Sequence, residues 1–251
     1  MRMYKVVVLT VALLLSALAT QAQLISPMHN KGASAGVTWT VVQHPSCTTA
    51  TTSGSSGNRS CTVTNTQNTT AGNLLILLSS AFGNFGQPTQ VSASGDGTWT
   101  HCPNSSAAEN YSSTNWMASD CYYILSATGG AASETFTWNY SGGNHQAIDV
   151  EVHRSTGTAV YDTGNTATNA SCSSCVAPTL TLSGSSDYIV QWIAFASTVR
   201  SISGPYSNPL DLENANVEGG FAGALNQSSG AGPTWTTTPA DGAAMSGVAF
   251  R

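Results

Sequence analysis

Charged residues are scarce in this chain of 251 residues, making up 8% of it as seven Lys or Arg and twelve Asp or Glu. Two of the seven basic residues lie in the first 22 positions, so the remaining chain has five against all twelve acidic ones. Such a balance offers no basic surface to phosphate backbones or anionic lipid headgroups. We therefore expect no nucleic-acid partner.

Long apolar runs are missing after the first 22 positions, where no stretch reaches the ~20 residues that span a bilayer. The first 22 residues combine a basic start, an apolar middle and the small residues Thr20 and Ala22. This order is typical of a secretory signal peptide. We expect residues 1–22 to be removed, residues 23–35 to form a flexible N-terminal segment, and the product to be secreted or held at the cell surface without a transmembrane segment.

Sustained helical periodicity is also missing. Instead, short runs rich in Val, Ile, Thr and aromatic residues recur between Gly, Ser, Asn and Pro, for example GVTWTVVQH (36–44), ETFTWNY (134–140) and DYIVQWIAF (187–195). About a dozen such runs predict an all-β sandwich or barrel. Some runs are apolar on both faces and others alternate, which favours a two-sheet antiparallel β-sandwich, jelly-roll-like, as a single domain over residues 36–251.

All six cysteines follow the predicted signal peptide, and disulfides persist in exported chains. Six cysteines allow 15 pairings. Short sequence separations favour Cys47–Cys61, Cys102–Cys121 and Cys172–Cys175. The CSSC motif of the last pair lacks the βαβ setting of a redox site, so we interpret it as structural.

Several motifs occur in a characteristic order: TAGNLLILL (70–78), VSASGDGTWT (91–100), YYILSATGGAASETFTW (122–138), IDVEVH (148–153), DYIVQW (187–192) and GVAFR (247–251). This order resembles that of uncharacterised secreted bacterial β-sandwich domains of jelly-roll or concanavalin-like type. The resemblance spans most of the chain after the signal peptide. It implies architecture and export, and it brings no established activity.

The segment HQAIDVEVH (145–153) concentrates chemically active side chains. In a strand, alternation places its apolar residues on one face and the polar row of His145, Asp149, Glu151 and His153 on the other. We interpret this polar row mainly as a solvent-exposed face of a sheet.

A catalytic role for the same segment is a second alternative. Jelly-roll endo-glycanases of the laminarinase and agarase type have a Glu-x-Asp-x-Glu strand whose outer carboxylates act as nucleophile and acid/base. Here AIDVE supplies Asp149 and Glu151 but has Ala147 where the nucleophile would be. We therefore favour a non-catalytic protein, with a glycoside hydrolase using Asp149 and Glu151 as the second alternative.

Metal binding has weak support. Asp149, Glu151 and His153 carry suitable donor atoms, but His145 and His153 would lie ~26 Å apart along a strand, so the whole row cannot share one ion. The acidic stretch DLENANVE (211–218) is a candidate calcium loop. We expect no cofactor, with calcium as the alternative.

Aromatic residues offer the remaining sign of function. Each of the six Trp side chains is large enough to stack on a sugar ring. Trp138 and Trp192 lie in apolar rows, which predicts core positions, whereas Trp116 and Trp235 have polar neighbours and are the ligand-binding candidates.

Our leading hypothesis is a secreted protein that binds an extracellular glycan. The alternative is a structural or adhesive cell-surface or filament subunit that contacts other surface proteins, or itself, through strand edges.

Overall fold

The computed structural model describes residues 37–51, 57–84, 87–112, 114–140, 142–195, 199–204, 208–214 and 217–251. The predicted signal peptide and flexible N-terminal segment lie outside these ranges. Within them, no helix is long and apolar enough to cross a membrane.

The described residues form sixteen β-strands. In chain order they are β1 (Trp39–Gln43), β2 (Ser46–Thr51), β3 (Gly57–Thr64), β4 (Leu74–Asn84), β5 (Thr89–Ser94), β6 (Thr100–His101), β7 (Ala107–Ser112), β8 (Asn115–Ile124), β9 (Ser133–Tyr140), β10 (Gly143–Arg154), β11 (Tyr161–Val176), β12 (Asp187–Phe195), β13 (Val199–Ser203), β14 (Asn208–Asn214), β15 (Val217–Gln227) and β16 (Thr234–Phe250).

Two large sheets form a sandwich. The seven-stranded sheet has the order β1-β10-β4-β8-β6, with β2 also paired to β10 and β7 to β8. The six-stranded sheet has the order β11-β16-β12-β15-β14, with β13 also paired to β16. Neighbouring strands run antiparallel in both sheets. The predicted all-β antiparallel sandwich is confirmed.

The main core lies between these two sheets. From β4 it receives Leu74, Ile76 and Leu78, and from β12 it receives Val190 and Trp192. Because side chains alternate along a strand, the other residues of the LLILL run point to the opposite face, where they are also buried. A strand covered on both faces explains a run that is apolar without interruption.

A third sheet of three strands, in the order β3-β9-β5, covers that opposite face. Its central strand contributes Phe136 and Trp138, which pack with Leu77, Ala81 and Ala147 of the seven-stranded sheet. The sequence did not predict this layer, because an alternating strand such as β9 equally fits the outer wall of a two-sheet sandwich. Part of the seven-stranded sheet is therefore buried on both faces.

The three predicted disulfides are confirmed. Cys47–Cys61 joins β2 of the seven-stranded sheet to β3 of the three-stranded sheet. Cys102–Cys121 links the residue after β6 to β8, and Cys172–Cys175 closes a short loop within β11. The first of these pairs fastens the covering layer to the sandwich.

Candidate functional site

The side chains of β10 are divided between the two faces of the sheet as the alternation predicts. Ile148, Val150 and Val152 lie in the main core, whereas Ala147 packs against the three-stranded sheet on the other face. The prediction that this second face is solvent-exposed is wrong for most of the row. His145, Asp149 and Glu151 are 0% exposed, whereas His153 remains exposed.

Glu151 is held by uncharged hydrogen-bond donors on three sides. Its Oε1 accepts bonds from the Thr70 backbone N–H at 2.8 Å and from Asn73 Nδ2 at 2.7 Å. Its Oε2 accepts one from Gln43 Nε2 at 2.7 Å. A buried carboxylate with this many donors is a structural anchor between β1 and the chain entering β4.

Asp149 has a different environment. It faces Glu134 of β9, and the pKa of Asp149 is raised well above its usual range by burial first, then by the hydrogen bond and repulsion with Glu134 and by repulsion from Glu151 and Asp96. Burial also raises the pKa of Glu134, against the hydrogen bond from Asp149, which lowers it. Burial thus raises the pKa of both carboxyls, so the pair retains a proton that one carboxyl donates to the other in a hydrogen bond.

The unpaired oxygens support this assignment. Glu134 Oε2 accepts a bond from Asn65 Nδ2 at 2.8 Å, while Glu134 Oε1 and both oxygens of Asp149 have no donor from another group. Two ionised carboxylates offer each other only acceptors, and no Lys, Arg or His in the described part of the chain forms a salt bridge with them. A single retained proton supplies the missing donor.

These positions change the expectations for β10. Asp149 and Glu151 are both 0% exposed, so the two carboxylates that the glycoside-hydrolase alternative would use are not accessible to a glycan. Burial also lowers the pKa of His145 to about 3, which keeps its imidazole neutral. No group of three or more His, Cys, Asp or Glu side chains within the described ranges is arranged to hold a metal ion. Asp149, Glu151 and His153 are thus not gathered in such a group, and the side chains of residues 211–218 lie outside the described residues.

A groove of about 360 Å³ opens on the same face of the seven-stranded sheet, where it is not covered. The register places Asp120 of β8 beside Ser79 of β4 and Ser79 beside Ala147 of β10, so all three share that face. The groove lies beside β5, the last strand of the three-stranded sheet. Its lining includes Ala118, Asp120 and Tyr122 of β8, His101 of β6, Ser106, and residues 87–89 leading into β5.

Three polar side chains meet at one point in this groove. His101 Nε2 lies 2.7 Å from Asp120 Oδ1 and 3.1 Å from Ser106 Oγ. Ser106 Oγ donates to the same Asp120 oxygen at 2.9 Å, as does the Cys121 backbone N–H at 2.8 Å. The hydrogen bond to Asp120 raises the pKa of His101 above its usual value, against the opposing effect of partial burial.

This Ser, His and Asp cluster is not arranged as a catalytic triad. In a triad, the carboxylate and the hydroxyl bond to different nitrogens of the imidazole, so that the second nitrogen can accept the hydroxyl proton. Here Asp120 and Ser106 both contact Nε2 of His101, and Ser106 donates directly to Asp120. The cluster therefore presents a fixed polar surface and does not activate a nucleophile.

Aromatic side chains accompany the cluster. Tyr122 makes an edge contact with His101, at 5.6 Å between ring centres, and another with Phe136 at 5.7 Å. Trp116 is partly exposed on the same strand. Trp235, the other predicted ligand-binding aromatic, is 0% exposed and packs with the Cys172–Cys175 disulfide. The prediction that Trp235 binds a ligand is wrong. Its neighbours Thr234 and Thr236 are less buried than Trp235, because adjacent side chains in a strand face opposite sides.

Sequence reasoning missed His101 and Asp120, although a signal was present. Each residue immediately precedes a cysteine of the predicted Cys102–Cys121 pair. A disulfide between two strands brings the preceding residues close together as well. Glu134 could also have been found from the sequence, by a different signal, because alternation places it on the face of Phe136 and Trp138.

A scan against protein-family models found no match for the chain, and searches of curated proteins and of solved structures found none either.

Proposed function

We propose that the protein is a non-catalytic, extracellular carbohydrate-binding protein and that its binding site is the groove beside β8. The observation that carries this proposal is the meeting of Tyr122 with the His101, Asp120 and Ser106 cluster in one open groove. Ligand sites combine apolar or aromatic contact area with a few fixed polar groups that set orientation. Sugar rings fit such a site because they have an apolar face and a rim of hydroxyls.

The polar groups suit hydroxyl ligands. The His101 side chain is 44% exposed, whereas the Asp120 carboxylate that orients it is 6% exposed. A buried carboxylate thus fixes an accessible imidazole that can exchange hydrogen bonds with a sugar hydroxyl. With five basic residues against twelve acidic ones after position 22, the chain favours neutral glycans over anionic ones.

Among the described residues that line the groove, Asp120 alone carries a carboxylate. Glycoside hydrolysis generally requires two, placed on either side of the scissile bond. Asp120 Oδ1 also accepts three hydrogen bonds from the protein, which hold this carboxylate in one orientation. Binding without cleavage is the activity that fits this composition.

Titration calorimetry with neutral oligosaccharides tests the proposal. We expect His101→Ala and Asp120→Ala each to weaken binding about tenfold or more, which corresponds to ~1.4 kcal/mol. Thr62→Ala, on the exposed outer face of the three-stranded sheet, is the matched control and should bind as the unchanged protein does. Equal affinities for His101→Ala, Asp120→Ala and Thr62→Ala would place the binding site elsewhere.

A second candidate function, assembly as a structural or adhesive subunit, is favoured by β11. This strand of 16 residues lies at the edge of the six-stranded sheet. A long edge strand is a template for pairing with another chain. Register irregularities between Tyr161 and Thr163 and again from Asn169 to Ser174 interrupt its ladder with β16, so pairing would use the regular run between them, around Asn165. Asn165→Pro should abolish concentration-dependent assembly in light scattering, and a monomer at every concentration would reject this candidate.

A further inference from the structure

β8 continues beyond the groove, and its outward face carries one more aromatic residue. Ala118, Asp120 and Tyr122 line the groove. Trp116 lies two residues before Ala118 and therefore points to the same face, whereas Met117 packs in a core cluster on the opposite face. Trp116 is partly exposed.

Among the described residues, the neighbours of Trp116 across the sheet leave this end of the face open. On one side, its register partner is Gly83 of β4, and the next strand places Gly143 beside Gly83. Neither residue has a side chain to cover the indole. On the other side, the partner is Asn110 of β7, which is exposed. Within the described part of the chain, the indole therefore lies at an open end of the face that carries the groove.

Small side chains line the surface between Trp116 and the polar cluster, so they protrude little from the sheet. Ala118 of β8 and its register partner Ala108 of β7 both line the groove and have the shortest side chains after glycine. Trp116 and Tyr122 are six residues apart, which corresponds to ~20 Å along a strand. This length exceeds one sugar ring several times over.

We propose that Trp116 is a second stacking subsite and that the ligand is a neutral, linear glycan chain lying along β8, from the His101 and Asp120 cluster to the indole. This inference rests on the proposed function and adds the length and shape of the ligand to it. A single sugar or a branched end would use the cluster alone. A linear chain uses both ends of the face, with the two alanines giving it room between them.

The test compares a disaccharide and a hexasaccharide of β-1,3-linked glucose, and the same pair from β-1,4-linked xylan, by titration calorimetry. The unchanged protein should bind one of the hexasaccharides more tightly than its disaccharide. Trp116→Ala should weaken hexasaccharide binding about tenfold, a cost of ~1.4 kcal/mol, and leave disaccharide binding unchanged. His101→Ala should weaken both, because its subsite is used by either ligand.

A structural role for Trp116 gives a different pattern. Aromatic side chains can cover glycines of a neighbouring strand, so Trp116→Ala can lower the melting temperature without any binding role. Trp116→Leu retains an apolar cover but has no flat ring, and it should lose the length-dependent affinity while melting closer to the unchanged protein. Equal hexasaccharide affinities for the unchanged protein and Trp116→Leu would overturn the subsite, and loss of binding in His101→Ala would still support the proposed function. No binding of any of the four sugars would count against both.

Discussion

Two carboxylates on one face of the seven-stranded sheet, Asp149 on β10 and Asp120 on β8, have opposite surroundings. Asp149 lies beneath the three-stranded sheet, faces Glu134 and has no donor from another group. Asp120 lies in the open groove and accepts bonds from His101, Ser106 and a backbone N–H. The chemistry of the two side chains is the same, so the cover above each one decides its role.

The covering layer is held on the seven-stranded sheet through the inward-facing side chains of β9. Trp138 of β9 donates through its indole N–H to Ser79 Oγ of β4, and Phe136 packs beside it with ring centres 5.4 Å apart. The outer face of the layer is a ladder of hydroxyl pairs, such as Thr62 with Thr135 at 2.9 Å. One face of the three-stranded sheet thus belongs to the interior and the other to solvent.

Removing the disulfide that fastens this layer should have the largest effect. Changing both Cys47 and Cys61 to Ala opens a loop with a sequence separation of 14, which should lower the free energy of unfolding by about 3 kcal/mol. Urea denaturation measures this change. The matched control is the pair Cys172 and Cys175, whose loop has a separation of 3 and whose removal should cost less. A larger loss for the control would show that the covering layer does not depend on its disulfide.

Replacing the hydrogen-bonded carboxylate of Glu151 should have the second-largest effect on the free energy of unfolding. Glu151→Gln places an amide NH₂ against the donors of Gln43 or of Thr70 and Asn73, so at least one buried donor loses its acceptor. We expect the free energy of unfolding to fall by about 2 kcal/mol. Thermal and urea unfolding at neutral pH measure the change. A stability equal to that of the unchanged protein would mean that water reaches Glu151.

Replacing Asp149 of the protonated carboxyl pair should raise the stability of the protein, whereas replacing Glu151 should lower it. A carboxyl whose pKa is raised in the folded state stabilises the protein below its unfolded value of about 4, and this contribution is lost as pH rises through the folded value. Asp149 is surrounded by Glu134, Glu151 and Asp96, which all raise its pKa. Asp149→Asn cannot ionise and can still donate to Glu134, so it should become more stable than the unchanged protein as pH rises above 4.

The size of this difference is bounded. One proton contributes at most ~1.4 kcal/mol per pH unit, so Asp149→Asn should gain on the order of 1 kcal/mol or more by neutral pH. Urea unfolding of both proteins across the range from about pH 4 to 8 measures the slope. Parallel curves for the two proteins would show that Asp149 ionises normally and that the carboxyl pair does not hold a proton.

The sequence predicted the strands, the antiparallel sandwich and all three disulfides because each depends on local patterns. Alternation even assigned the faces of β10, with Ile148 and Val150 toward the main core. It could not show what lies above the other face. Exposed and covered polar residues alternate along a strand with the same period. The pattern therefore predicts that His145, Asp149 and Glu151 are exposed to solvent, although this face is covered and all three are buried.

The groove depends on contacts that are distant in the chain. His101 and Asp120 come from different strands and meet because the Cys102–Cys121 disulfide and the β6 to β8 pairing bring them together. Polar sequence neighbours predict an accessible side chain for both Trp116 and Trp235, but Trp116 is partly exposed and Trp235 is buried. Neighbours in sequence alternate between faces in a strand, so they report little about the burial of one side chain.

The smallest effect on stability should come from Asp120→Asn, the counterpart of Asp149→Asn in the open groove. The change keeps an acceptor for Ser106 and the Cys121 N–H but removes the charge beside His101. The pKa of His101, raised in part by that charge, should fall toward its ordinary value of about 6.5, and an NMR titration of the imidazole protons measures this directly. Stabilisation from a raised imidazole pKa is present below the unfolded value and lost above the folded one, so any loss should appear only under mildly acidic conditions. With His101 partly exposed, we expect a change in unfolding free energy below about 1 kcal/mol, since solvent screens such pairs. A loss as large as that of Glu151→Gln would mean that Asp120 is a structural anchor like Glu151 and that the groove is not the less constrained of the two sites.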